Sequence, residues 1–156
     1  MSKSASGIII SWFFVLLGII ILVVLANFIA YVAPSQVILD FVAFLNGNVW
    51  LLILSSVFFY LGALFYNFGF PINILTPPSD GVGSVFIVAF LINLIVVTDI
   101  YSGIGIGYVL KSYSLIIYIV VFILVVLLGY VAVMQRQQKI KNHRMRKEHR
   151  DESHHH

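Results

Sequence analysis

The chain has 156 residues, of which 61% are hydrophobic and 10% charged, and its mean hydropathy is +1.05; soluble domains carry roughly 25% charged residues, so that class is excluded. It has no cysteine, which excludes disulfides, thiolate metal sites and cysteine nucleophiles. The net charge of +3 is concentrated: residues 1–134 hold Lys3 and Lys111 against Asp40, Asp80 and Asp99, and the other seven bases lie between Arg136 and Arg150. The basic balance therefore describes a tail and not a nucleic-acid-binding surface.

A membrane helix needs about 20 mostly apolar residues to cross a core about 30 Å thick. The first such stretch is 8–32, with Trp12 and Tyr31 near its two ends, where aromatic side chains favour the interface. It is longer than a cleavable signal core, and Pro34 directly follows Ala33, so it is read as a retained anchor. Residues 34–47, "PSQVILDFVAFLNG", are too apolar for a free loop and too short to span. They are expected to form a short interfacial or re-entrant outer helix that ends at the Asn46-Gly47 pair.

The second span is expected at 49–66, with Asn48 as its N-cap. Between Asn67 and Gly83, three prolines and several turn dipeptides predict an ordered non-helical loop. The third span, 84–100, carries Asn93 inside and Asp99 at its far end; the fourth, 108–134, is clearest in the nearly unbroken apolar run Leu115–Val133. Runs of this length fit helices, whereas barrel strands alternate over about ten residues. The fold class is thus an all-α integral membrane protein: a four-span helical bundle, one short outer helix, and a basic tail over 135–156. No internal repeat supports an inverted-repeat transporter.

Seven bases just beyond the last span place the carboxyl terminus in the cytoplasm. Four spans then bring the amino terminus to the same side, most simply at the plasma membrane. In this topology Asp99 and Lys111 share a depth near the outer interface. Either they pair with one another or reach headgroups, or Asp99, with Asn93 a turn and a half deeper and Lys111 beside it, forms an ion or partner site. The intervening Gly103-Ile104-Gly105-Ile106-Gly107 is not a potassium filter. Thr98 is not adjacent to the glycines, and nothing between them could form a pore helix. Gly103, Gly105 and Gly107 are expected to permit close backbone approach in a turn or at a subunit contact.

Catalytic groups are scarce. All five histidines lie in the tail, which excludes bis-imidazole haem ligation inside the bundle. No zinc-protease motif occurs, and Ser55 and Ser56 have no base nearby in the sequence. No cofactor or metal site is expected. In the tail, Arg136, Lys139, Lys141, Arg144, Arg146 and Lys147 are candidates for contact with anionic lipid or an acidic partner. His154–His156 read equally as a tag remnant or as native residues, and three terminal histidines are poor grounds for a metal site. The leading expectation is a small non-catalytic subunit or scaffold of a larger membrane complex, whose partners are membrane lipid and other membrane subunits or further copies of itself. The alternative is a homo-oligomeric ion channel or small transporter with Asp99 and Lys111 near its outer mouth. A membrane enzyme working through its outer loops is a third class.

Overall fold

The structure is a computed structural model that describes residues 5–68 and 71–152. Its elements are α1 (Ala5–Val32), α2 (Gln36–Asn67), a 3-10 turn (Ile72–Leu75), α3 (Thr76–Ser102), α4 (Ile106–Ser112) and α5 (Ser114–Glu152). No strand occurs among the described residues. Four helical stretches are long and apolar enough to cross a membrane: Ser6–Val32, Gln36–Asn67, Ile72–Ser102 and Ser114–Lys139.

The first departure from expectation lies at 34–47. This segment is not a separate outer helix; from Gln36 onward it forms the opening turns of α2. Pro34 sits in the break after α1, and the Ser35 side chain caps α2 by accepting from the Ile38 amide at 3.3 Å. The helix then passes through Asn46-Gly47 without interruption. Asn46 exchanges two 3.1 Å hydrogen bonds with Asn27 of α1, and Asn48 donates back to the Phe44 carbonyl at 2.8 Å. The polar groups that would favour a turn are thereby satisfied within helical geometry. Val42, Phe44 and Leu45 are buried on the same turns, and their packing outweighs the roughly 1 kcal/mol that an interior glycine costs a helix. At 1.5 Å per residue α2 is about 48 Å long, well beyond a hydrocarbon core of about 30 Å.

The second departure is the proline-rich connector. Only a short break separates α2 from the 3-10 turn, and α3 starts at Thr76, ahead of the expected Ser84. Pro77 and Pro78 lie in its first turn, where a missing N–H removes no helical hydrogen bond. Pro77 is fully buried and meets α5 at Gly129, where an added Cβ would lie 2.7 Å from the Pro77 Cβ. Nearby, Gly81 receives Phe122 and Val126 of α5 in the same manner.

Substantial helix contacts run in chain order: α1 on α2, α2 on α3, and α3 on α5. Trp12 stacks on Tyr60 at 4.8 Å between α1 and α2; Phe44–Phe90 at 5.3 Å and Phe58–Phe86 at 5.7 Å join α2 to α3. A small core of Ala26, Val42 and Leu45 closes the α1–α2 seam against Phe90. In the edge helices α1 and α5, only 6% of the most apolar stretch is buried within the chain. Their outward side chains suit a solvent as apolar as leucine itself. The expected start of the fourth span at 108 is also revised. Residues 106–112 form the separate helix α4, packed on α3, and a break at Tyr113 precedes α5.

Candidate functional site

Polar side chains gather near the two ends of α3, around Asp80 and around Asp99, about 28 Å apart along the helix at 1.5 Å per residue. At the Asp99 end, α3 stops at Gly103 and α4 starts after Gly105, both in the left-handed region at φ 66° and 82°, which a residue with a Cβ enters at a cost. This reversal turns two backbone amides toward the carboxylate. Asp99 accepts from Gly105 N at 3.1 Å, Gly107 N at 2.9 Å and the Ser102 hydroxyl at 3.0 Å. An added Cβ at Gly107 would lie 2.8 Å from the Val96 Cα, so α4 packs directly on α3 there. By contrast, Gly103 and Gly105 have nothing within 4 Å of that position. Close approach is thus the property of Gly107, and turn geometry that of the other two.

Lys111 bonds elsewhere. Its ammonium donates to Asn93 Oδ1 at 2.8 Å, and Asn93 Nδ2 donates to Asn48 Oδ1 at 3.0 Å. Lysine, Asn93 and Asn48 therefore form a chain of hydrogen bonds from α4 across α3 to α2, while the nearby carboxylate is held by backbone amides. The structure brings Asp99, Asn93 and Lys111 toward one end of the molecule, with Lys111 bonded to Asn93 and Asp99 bonded instead to Ser102, Gly105 and Gly107. Also at this end, Tyr101 donates to Asp40, which additionally accepts from Gln36 at 2.8 Å. The α2 serines close on their own helix, Ser55 donating to Leu52 O at 2.9 Å and Ser56 to Ile53 O at 2.8 Å.

The other end brings Arg136, a candidate from the basic tail, together with Asp80 and other groups that the sequence alone did not mark as a site. A cavity of about 690 Å³ lies between α2, α3 and α5, with Ile8 of α1 also in its lining. Asp80, Thr76 and Ser84 of α3 line it, together with Asn67 of α2 and Arg136 of α5. Asp80 lies against Gly62, where any Cβ would overlap its carboxylate. The Arg136 guanidinium lies 4.1 Å from the centre of the Tyr66 ring and also donates to the Tyr66 carbonyl. One signal could have found this cluster: a Pro-Pro pair suits a helix start as well as a loop, and reading it so places Asp80 on the third span. Of the basic candidates, Arg136 is half-buried at this cavity and Lys139 is exposed. The side chains of Lys141, Arg144, Arg146 and Lys147 lie outside the described residues, as do His154–His156.

Among the described residues no group of three or more His, Cys, Asp or Glu side chains could hold a metal ion. The chain matches no family model, no curated protein and no solved structure.

Proposed function

We propose that the protein is a small non-catalytic subunit or scaffold of a larger assembly in the plasma membrane, with both termini cytoplasmic. The observation that carries this reading is the serial packing of the helices. The edge helices α1 and α5 each pack substantially on one neighbouring span, and nearly all residues of their most apolar stretches stay exposed or half-buried. Such a row offers two long lateral faces to other membrane helices. The polar groups near the Asp99 end support the same reading, because Asn93, Lys111 and Asp99 are engaged in holding α2, α3 and α4 together.

Purification in a mild detergent is expected to recover other polypeptides in fixed ratio with this chain. A pure homo-oligomer whose liposome ion flux disappears in Asp99→Asn would overturn the proposal in favour of a channel. The topology has its own test, made simple by the absence of native cysteine. With Ile104→Cys, a membrane-impermeant maleimide should label intact cells from outside; with Gln138→Cys it should label only after the membrane is opened. The reverse pattern would invert the orientation.

A further inference from the structure

We propose that the cavity between α2, α3 and α5 binds the headgroup of a phospholipid bearing a primary amine. The assignment goes beyond the subunit reading and stands independently of it. The cavity wall carries one anionic and one cationic side chain, Asp80 and Arg136. The Asp80 carboxylate, set against Gly62, has no hydrogen-bond partner among the described residues. Arg136 uses one N–H on the Tyr66 carbonyl and rests its flat face on the Tyr66 ring, which leaves most of its five donors free.

The independent observation is Thr76. It is only 6% exposed, lines this cavity, and its hydroxyl has no hydrogen-bond partner. Buried polar atoms of native proteins are nearly always partnered, and this one is left without a partner in a residue of the cavity wall. Asn67 and Ser84 of the wall donate to the Ala63 and Asp80 carbonyls, and Phe59, Ala63 and Val125 form an apolar part of it.

These features select the ligand chemistry. An ammonium with N–H donors satisfies Asp80, a phosphate suits the planar donor fork of Arg136, and an apolar body covers the remaining wall. Depth agrees with a lipid source: Asp80 lies in the second turn of α3, and Arg136 lies where α5 passes from its apolar run into its basic segment. A phosphatidylglycerol headgroup brings no cation to Asp80. A phosphatidylcholine headgroup brings a cation without N–H donors.

The test is native mass spectrometry of the full chain released from nanodiscs of equal parts phosphatidylethanolamine, phosphatidylglycerol and phosphatidylcholine. Wild type should retain one phosphatidylethanolamine in at least tenfold preference to the other two, a result that requires no variant. Asp80→Asn and Arg136→Gln should each reduce that preference about tenfold. Gly62→Ala, whose methyl group displaces the Asp80 carboxylate, should act in the same direction. Equal retention of the three lipids, no retained lipid, or an unchanged preference in Asp80→Asn would overturn the proposal. So would tighter binding of soluble O-phosphoethanolamine than of the lipid, which would make the ligand a free zwitterion.

Discussion

Gly129→Leu is expected to destabilise the protein by about 3 kcal/mol, near the upper end of the range for forcing extra carbons into a packed contact. An added Cβ at this position lies 2.7 Å from the Pro77 Cβ, 3.1 Å from its Cγ and 3.2 Å from its Cα. The proline ring is fully buried and cannot rotate away, because its φ is fixed by the ring itself. Relief therefore requires α3 and α5 to separate, which also loosens the seat of Phe122 and Val126 over Gly81. Gly18→Leu is the matched control. Gly18 lies on α1 with nothing within 4 Å of an added Cβ, and a leucine there gains helix propensity. Thermal unfolding in detergent should show a large loss for the first variant and little change for the second. Equal effects would mean that the α3–α5 contact is not closely packed.

Gly107→Ala is expected to cost about 1–3 kcal/mol, since its new methyl meets the Val96 Cα, a backbone atom that cannot rotate away, at 2.8 Å and presses on the Asp99 side chain at 3.0 and 3.1 Å. Gly103→Ala should cost less, about 1–2 kcal/mol, because only the left-handed backbone opposes it. The two variants should also differ in local dynamics. Displacing α4 from α3 lengthens the 2.9 Å bond from Gly107 N to Asp99. Hydrogen exchange across residues 99–112 should therefore accelerate in Gly107→Ala more than in Gly103→Ala. Combining Gly107→Ala with Asp99→Asn should give less than the sum of the two effects, as expected for residues that share one contact. Full additivity would show that the carboxylate is not held by the Gly107 amide.

The hydrophobic runs were readable because a bilayer imposes a length and a composition on whatever crosses it. Leu115–Val133 and Ile8–Val32 contain no proline and no turn dipeptide, and both lie inside helices of the structure. The misplaced boundaries fall where local residues permit two outcomes. Asn46-Gly47 is a turn signal in isolation, yet Asn27 on a neighbouring helix supplies the partner that keeps it helical. Pro77-Pro78 suits both a loop and a helix start, and the cleft at Gly129 selects the second. The candidate site divides in the same way. Asp99, Asn93 and Lys111 were visible as rare polar residues in or beside apolar runs, but their partners were not, since a charge near another in sequence need not face it. Asp80 was overlooked because its significance depends on Gly62 and Arg136, which lie far from it in the chain.

The sequence by itself determined the class of object: an all-helical chain with four apolar stretches long enough to span, a basic terminal segment and few polar groups between. Hydrophobicity is a sum over neighbouring residues, and a sum of that kind survives any tertiary arrangement. Only the tertiary structure decided where α2 and α3 begin, which polar residues bond to which, and that Asp80, Thr76 and Arg136 share one cavity. Those outcomes depend on contacts between residues distant in the chain. A glycine becomes a seat for a proline, and a carboxylate becomes a cap or a ligand group, only when another helix supplies the second surface.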